Sequence, residues 1–356
     1  MSDDVENRLR QHLAAIRQAA LLAVDPEEAV RRHLKRAGSR LALGEAAWDL
    51  AQVERVFVVG AGKAAVKMTQ AAAEIVGEQV TAGVVVTKYL HSAGATLPPA
   101  IRVMEAGHPV PDAAGMAGAQ AIADLLKQAG EKDLVLVLLS GGASALIPYP
   151  VAGISLEDLQ QMTTLLLRCG ATIAELNAVR KHLDGLKGGQ LARLAYPAPL
   201  AAMILSDVVG DPLEVIASGP TVADPSTFQA VYQILENYEL LDQAPPAVMD
   251  YIRAGMGGAR PETPKPGDAE LARVENVLVG SNRLAAQEAA ATATSLGYRT
   301  LLLSTFLEGE AREVGKVMAA LAKGVRFNAD PLAPPACIVM GGETTVTVNG
   351  PGKGGR

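Results

Sequence analysis

The chain is poor in aromatic residues. Only 3% of its 356 residues are Phe, Trp or Tyr, and one is a tryptophan. Its cores must be built from Ala, Val, Leu and Ile, and a hydrophobic share of 49% is ample for that. Cysteine is scarce too. Cys169 and Cys337 are too few for a disulfide framework and sit in no Cys-x-x-Cys pair, a usage that fits the reducing cytoplasm. Charged residues make up only 20%, which with so many apolar ones excludes disorder as the main character. There is no basic excess. A net charge of -6 opposes sequence-independent nucleic-acid binding, which needs a basic face to displace counterions, yet it leaves room for a local basic pocket. Long apolar runs are also missing. The strongest, residues 134–139, is strand-sized, whereas a membrane span needs about 20 residues, so no membrane partner is expected. The opening residues carry early acids, Asp3 and Asp4, and no apolar stretch of the kind a signal peptide requires. At about 100–200 residues per domain, the length predicts two domains.

What is present alternates between two periodicities. Val5, Leu9, Leu13, Ile16 and Ala20 fall on one helical face. Asp25 then reads as an N-cap, with Pro26 in the first turn and Glu28 as its capping-box partner. From Arg55 onward, short apolar runs at 56–59, 83–87, 101–105, 133–139 and 201–205 read as strands. Helices fall between them, one reaching about Ile75, one capped by Asp112, and two starting at Ser155-x-x-Asp158 and Thr172-x-x-Glu175. Continuous apolar strands alternating with helices predict a parallel sheet covered on both faces. Residues 255–268 are rich in Gly and Pro and read as a linker. The expected division is therefore a first domain over 1–254, a linker over 255–270 and a second domain over 271–356. The second domain repeats the pattern, with strands at 276–279, 299–304, 337–340 and 344–348, helices from Asn282 and Glu310, and a turn at 349–352.

Several strand ends carry glycine beside a polar or charged residue, and open α/β sheets bind ligands outside the carboxyl ends of their strands. Gly60-Ala61-Gly62-Lys63 follows one strand and opens a helix. The glycines let the backbone approach a ligand, the helix N-terminus attracts anions and Lys63 adds a full positive charge. The competing explanation is a tight turn with a solvated lysine. Gly60-x-Gly62-x-x-Ala65 nearly satisfies a dinucleotide fingerprint, but Val86-Thr87-Lys88 stands where that fingerprint expects an acid, and no Walker A loop occurs. Ser140, Gly141, Gly142 and Ser144 form a small-residue loop suited to a backbone nest around phosphate or carboxylate oxygens. It lacks the final glycine of a hydrolase nucleophile elbow. Asn177, Arg180 and Lys181 share a helix face that can clamp an anion, although a solvated charged face is the commoner origin of such spacing. Asp207 closes a buried strand, where an acid can bind Mg²⁺ or accept a proton. Asp211 before Pro212 reads as a helix cap, and His108 as a structural histidine. No His/Cys/Asp spacing indicates zinc. Gly341-Gly342-Glu343 ends a further strand, and Gly350 to Arg356 make a Gly-rich basic loop.

Taken in order, the segments VVGAGKAA (58–65), EAGHPVPD (105–112), LLSGGASAL (138–146), NAVRKHLDGLKGGQLA (177–192), ILSDVVGDPLEVIASGPTVADPST (204–227), VGSNRLA (279–285) and GGETTVTVNGPGKGGR (341–356) resemble the class II glycerate kinases, the glycerate 2-kinase family with a C-terminal MOFRL domain. The resemblance spans the chain from residue 58 to its last residue. It implies a Rossmann-like α/β domain, a smaller C-terminal α/β domain, and ATP- and Mg²⁺-dependent phosphorylation of D-glycerate to 2-phosphoglycerate. On this resemblance Lys63, Arg356 and Asp207 are the active-site residues. Glu343 joins Gly60, Gly62, Ser140, Gly141, Gly142, Ser144, Asn177, Arg180 and Lys181 as substrate- or phosphate-binding candidates. In the family the GKGGR segment continues into further structure, so a sequence ending at Arg356 implies a C-terminally incomplete second domain. Some members carry the name hydroxypyruvate reductase, which sustains an NAD(P)H-dependent reductase as the rival reading. A homodimer is left open.

Overall fold

The computed structural model describes residues 3–94, 96–348 and 350. Helices α1 (Asp3–Ala23) and α2 (Pro26–His33) lead into a small antiparallel meander, β1 (Lys35–Ala37), β2 (Arg40–Leu43) and β3 (Ala46–Asp49). Next come β4 (Val56–Ala61), α3 (Ala65–Val76), β5 (Val80–Lys88), β6 (Ile101–Ala106), α4 (Ala113–Leu126) and β7 (Leu134–Ser140). Four helices follow, α5 (Ala143–Leu146), α6 (Leu156–Arg168), α7 (Ile173–Leu183) and α8 (Gln190–Ala195), and then β8 (Leu200–Leu205). Helices α9 (Phe228–Asn237) and α10 (Pro246–Met256) precede β9 (Val274–Gly280). The last elements are α11 (Asn282–Ser295), β10 (Arg299–Leu307), α12 (Ala311–Asn328) and β11 (Ala336–Gly342).

Two units are distinct. The larger comprises residues 30–205 and 212–279. Its sheet has the order β6-β5-β4-β7-β8-β9, and the β6·β5, β5·β4, β4·β7 and β7·β8 pairings are parallel. Every residue of β4 and β7 is buried, as a strand covered on both faces requires. The expected caps are present. Asp112 accepts from the Gly115 backbone N–H, and Ser155 and Thr172 each close a full capping box. A second core, unmarked in the sequence pattern, forms where Met162 and Leu166 of α6, Val179 and Leu183 of α7, Val231 and Leu235 of α9, and Val248 and Ile252 of α10 pack together.

The stretch read as a linker is fixed to this unit. Thr263 is buried and donates to Asp224 Oδ2 at 3.0 Å, Glu262 accepts from the Phe228 N–H at 2.8 Å, and Asp224 N–H donates to the Pro264 carbonyl at 2.8 Å. Its Gly and Pro residues announce irregular backbone correctly. They do not reveal that side chains elsewhere satisfy that backbone.

The smaller unit joins residues 1–29, 206–211 and 280–356. Helix α1 packs on α11, where His12 Nδ1 meets the Tyr298 hydroxyl at 2.9 Å. Ala286, Ala289 and Ala293 form the buried stripe of α11, and β10 pairs in parallel with β11. The N-terminal helix thus belongs with the C-terminal unit, because an apolar stripe does not name its partner. Residues 344–348 are not a strand. Thr345 makes a single bridge to Glu310, and Thr347 N–H donates to the Glu310 carboxylate, so the segment is held by the turn before α12. The expected turn at 349–352 falls almost wholly outside the described residues.

Candidate active site

The strand order reverses between β4 and β7, and in a doubly wound sheet the ligand crevice opens at that reversal, beyond the carboxyl ends of the strands. The two candidate loops leave there. Gly62 has φ of 130°, and a Cβ on it would stand 2.2 Å from Ser140 Oγ, so no side chain fits. The buried Ser140 hydroxyl accepts from the Ala64 N–H at 3.0 Å, and the Lys63 N–H donates to the Gly141 carbonyl at 3.0 Å. Ser140 therefore ties the two turns together, while the Lys63 side chain stays exposed. Gly60 is buried, and a Cβ there would lie 3.1 Å from Thr69 Oγ1 and 3.2 Å from Val85 Cγ1, so it permits close packing of β4 with α3 and β5. Gly142, with φ of 88°, is the point of convergence, since its missing Cβ would lie 2.9 Å from His108 Cδ2 and 3.1 Å from Lys63 Cε.

Beside this point lies a cleft of about 490 Å³ within the larger unit. His108, Ser144, Arg180, Asp184 and Lys187, with Gln160, Thr163 and Thr164, give it a polar wall beside Gly142, and Pro109, Val110, Pro148, Leu159 and Leu167 contribute apolar surface. Helix α7 delivers Arg180, and the chain just past its end delivers Asp184 and Lys187. Asp184 Oδ1 accepts from the Leu186 N–H and Oδ2 from the Tyr149 N–H, each at 2.9 Å, while the Lys187 ammonium pairs with the same carboxylate. Both members of that pair are buried. Burial pushes the Lys187 ammonium below its ordinary pKa despite the opposing charge of Asp184. Burial likewise lowers the Arg180 guanidinium, again against Asp184.

The residues singled out in the sequence divide between several places. Lys63, Gly142, Ser144 and Arg180 belong to the cleft or its edge, and His108, read as structural, lines it. Lys181 is absent from the cleft lining. Its buried ammonium pairs with Asp224 at 3.3 Å, next to the buried His182, whose Nε2 meets Glu262 at 3.0 Å. A solvated face was the ordinary expectation for this helix, but most of α7 is buried and spacing alone does not show where each cation goes. Asn177 is buried against Ser218. Asp207 and Glu343 belong to the smaller unit, both exposed, and Arg356 lies outside the described residues. Asp211 is not a helix cap. Its φ is 57° and its Oδ1 is buried with no hydrogen-bond partner. Asp184 and Lys187 escaped the sequence reading, although a lysine before the Gly188-Gly189 pair was a usable signal.

A family model described as a domain of unknown function (DUF4147) matches residues 12–253. The glycerate 2-kinase of Pyrococcus horikoshii is 41% identical over 337 residues, covering 94% of this chain and 74% of that protein. The D-glycerate 2-kinase of Thermotoga maritima is 42% identical over 306 residues, covering 85% of this chain and 69% of that protein. The chain belongs to the glycerate kinase family. The crystal structure of glycerate kinase from Thermotoga maritima superposes with a TM-score of 0.82 at 38% identity, covering 98% of this chain and 77% of that one. In this chain the Gly62–Lys63 turn and the Ser140–Ser144 loop lie at the reversal of strand order, and Gly142 and Ser144 reach the cleft of the larger unit.

Proposed function

We propose that the chain transfers the γ-phosphoryl group of ATP to the C2 hydroxyl of D-glycerate, giving 2-phosphoglycerate and ADP. The observation that carries this reading is the polar wall of the cleft, to which Arg180 and the Lys187–Asp184 pair contribute beside Gly142, in a member of the glycerate kinase family. Phosphoryl transfer asks mainly for positioning and charge stabilisation. In this reading Arg180 and Lys187 hold the glycerate carboxylate, while Lys63 and the loop 140–144 cradle phosphate oxygens. The C2 oxygen bonds to the γ-phosphorus, the bond from that phosphorus to the ADP oxygen breaks, and the hydroxyl proton passes to a carboxylate, for which Asp207 is the candidate. Arg356 neutralises charge building on the transferred group.

Asp207 also suits Mg²⁺, which is ordinarily held by one or two carboxylates together with substrate phosphates. Asp211, in the same short loop, keeps a buried Oδ1 without a hydrogen-bond partner, which fits a second carboxylate turned toward such an ion. Bound there, Mg²⁺ would neutralise phosphate charge. The reductase reading is not favoured, because β5 ends in Thr87-Lys88 where a ribose-binding acid belongs.

The deciding experiment measures ADP release from D-glycerate and ATP beside NADH oxidation with hydroxypyruvate, using the same purified protein. ADP release is expected, and oxidation without ADP release reverses the assignment. Lys63→Ala is expected to lower kcat at least about 100-fold, and undiminished turnover removes Lys63 from the mechanism. In Asp207→Asn, an unchanged dependence of kcat on Mg²⁺ removes the metal role and leaves proton transfer. Gel filtration of the active protein decides between a monomer and a homodimer.

A further inference from the structure

We propose that Ser218 and Asn177 are positioning residues that turn the Ser144 hydroxyl so that it donates its proton to an oxyanion in the cleft. This rests on the cleft being the substrate site, as argued above. Ser144 lines the cleft. Its Oγ lies 2.9 Å from Ser218 Oγ, which lies 3.0 Å from the Asn177 side-chain amide. Asn177 is 3% exposed and Ser218 1%, so neither reaches substrate. The row is held at a backbone cost. Ala217, Ser218 and Gly219 are consecutive left-handed residues, with φ of 54°, 61° and 63°, a conformation that L side chains adopt only under constraint. The constraint is visible, because Gly188 N–H donates to the Ser218 carbonyl at 2.9 Å and Gly189 N–H to the Gly219 carbonyl at 2.7 Å.

Counting protons gives the row two states. With Asn177 Oδ1 turned to Ser218, the Ser218 O–H points at the amide, the Ser144 O–H points at Ser218, and the cleft meets only Ser144 lone pairs. That state also leaves Asn177 Nδ2 buried with no partner, and buried orphan N–H groups are rarer than orphan carbonyls. With the amide turned over, an Asn177 N–H donates to Ser218 Oγ, Ser218 donates to Ser144 Oγ, and the Ser144 proton faces the cleft. The two amide orientations have the same shape, so hydrogen bonding alone chooses between them. A bound carboxylate or phosphate interacts only with the second state and therefore selects it. Asparagine suits this task because it can present either an acceptor or a donor, whereas a carboxylate only accepts.

The test is a cycle of wild type, Ser144→Ala, Asn177→Asp and the double variant. Each is read by calorimetric Kd for inorganic phosphate and by KM and kcat for D-glycerate with ATP. Asn177→Asp locks the row in its first state and is expected to weaken phosphate binding and raise KM about tenfold, the scale of one hydrogen bond to a charged group. Ser144→Ala should do the same, and the double variant should be no worse than Ser144→Ala alone. Factors that multiply overturn the proposal, because a merely structural or charge effect at Asn177 persists without Ser144. If Asn177→Asp does not fold, Ser218→Ala replaces it. That variant frees Ser144 to rotate, so it should weaken phosphate binding less than Ser144→Ala and have no effect in the Ser144→Ala background. An effect retained in that background again overturns the relay. Multiplying factors with normal ADP release sink the relay alone. A non-additive phosphate cycle without ADP release sinks the kinase reading alone.

Discussion

Gly62 is the residue on which the cleft's two loops depend most directly. A Cβ there would collide with Ser140 Oγ at 2.2 Å and with the Ser140 carbonyl oxygen at 2.5 Å, in a backbone of φ 130°. Gly62→Ala must therefore part the two turns or unfold them. We expect a loss of roughly 2 kcal/mol in stability together with loss of D-glycerate turnover, read by thermal melting and ADP release. An alanine variant with wild-type melting would show that the turns are looser than this geometry requires. The Gly62–Lys63 turn was legible in the sequence as a tight glycine turn from a strand into a helix, and the structure has that turn. Ser140 was half legible. Its place in the loop was plain, but its hydroxyl turns back to the Ala64 N–H, which no composition shows. Lys181 and Lys187 illustrate the limit better. Both are buried lysines paired with an aspartate, and only Lys187 lines the cleft.

Helix α7 carries this difference at the level of elements. It starts at a capping box, with Thr172 Oγ1 accepting from the Glu175 N–H at 3.3 Å and the Glu175 carboxylate accepting from the Thr172 N–H at 2.8 Å. The Tyr238 hydroxyl donates to the same carboxylate at 2.9 Å, which joins the start of α7 to the end of α9. The Thr172 hydroxyl first, and its backbone N–H second, hold the Glu175 carboxyl below the usual carboxylate range. A depressed carboxyl stabilises the fold above its unfolded-state pKa and loses that contribution as pH falls through the lower, folded value. Thr172→Ala should cost about 1 kcal/mol at neutral pH and should flatten the acid limb of stability against pH. Denaturant titrations from pH 7 down to about pH 3 check both, and an acid limb as steep as the wild type's would mean that Glu175 is not held by this cap. The box was readable from Thr172-x-x-Glu175. The hydrogen bond to Tyr238 was not, because the apolar stripe of α9, Phe228, Val231 and Leu235, does not say whether it packs on α7 or on the sheet.

At the scale of the molecule, the division into two units is the feature that sequence order hides most. A break near 255–270 treats each unit as one continuous stretch, whereas the smaller unit gathers residues 1–29, 206–211 and 280–356. Strand alternation was legible because burial on both faces leaves a local apolar signature. Membership of α1 was not legible, because a face of Val5, Leu9, Leu13, Ile16 and Ala20 fits any apolar surface. The structure packs α1 on α11, with His12 hydrogen-bonded to Tyr298 just past the end of α11, while Leu9 and Leu13 of the predicted face stay exposed. Removing residues 1–23 should therefore uncover α11 and leave the six-stranded sheet intact. The single tryptophan makes this measurable, since Trp48 lies on β3 in the larger unit. In the truncated protein we expect faster amide exchange in α11 and β10, where loss of packing lowers the local opening energy. Exchange in β4 and β7 and the thermal midpoint of Trp48 fluorescence should stay unchanged. A fall in the Trp48 midpoint equal to the loss of protection in α11 would mean that α1 supports both units, and that the smaller unit does not unfold on its own.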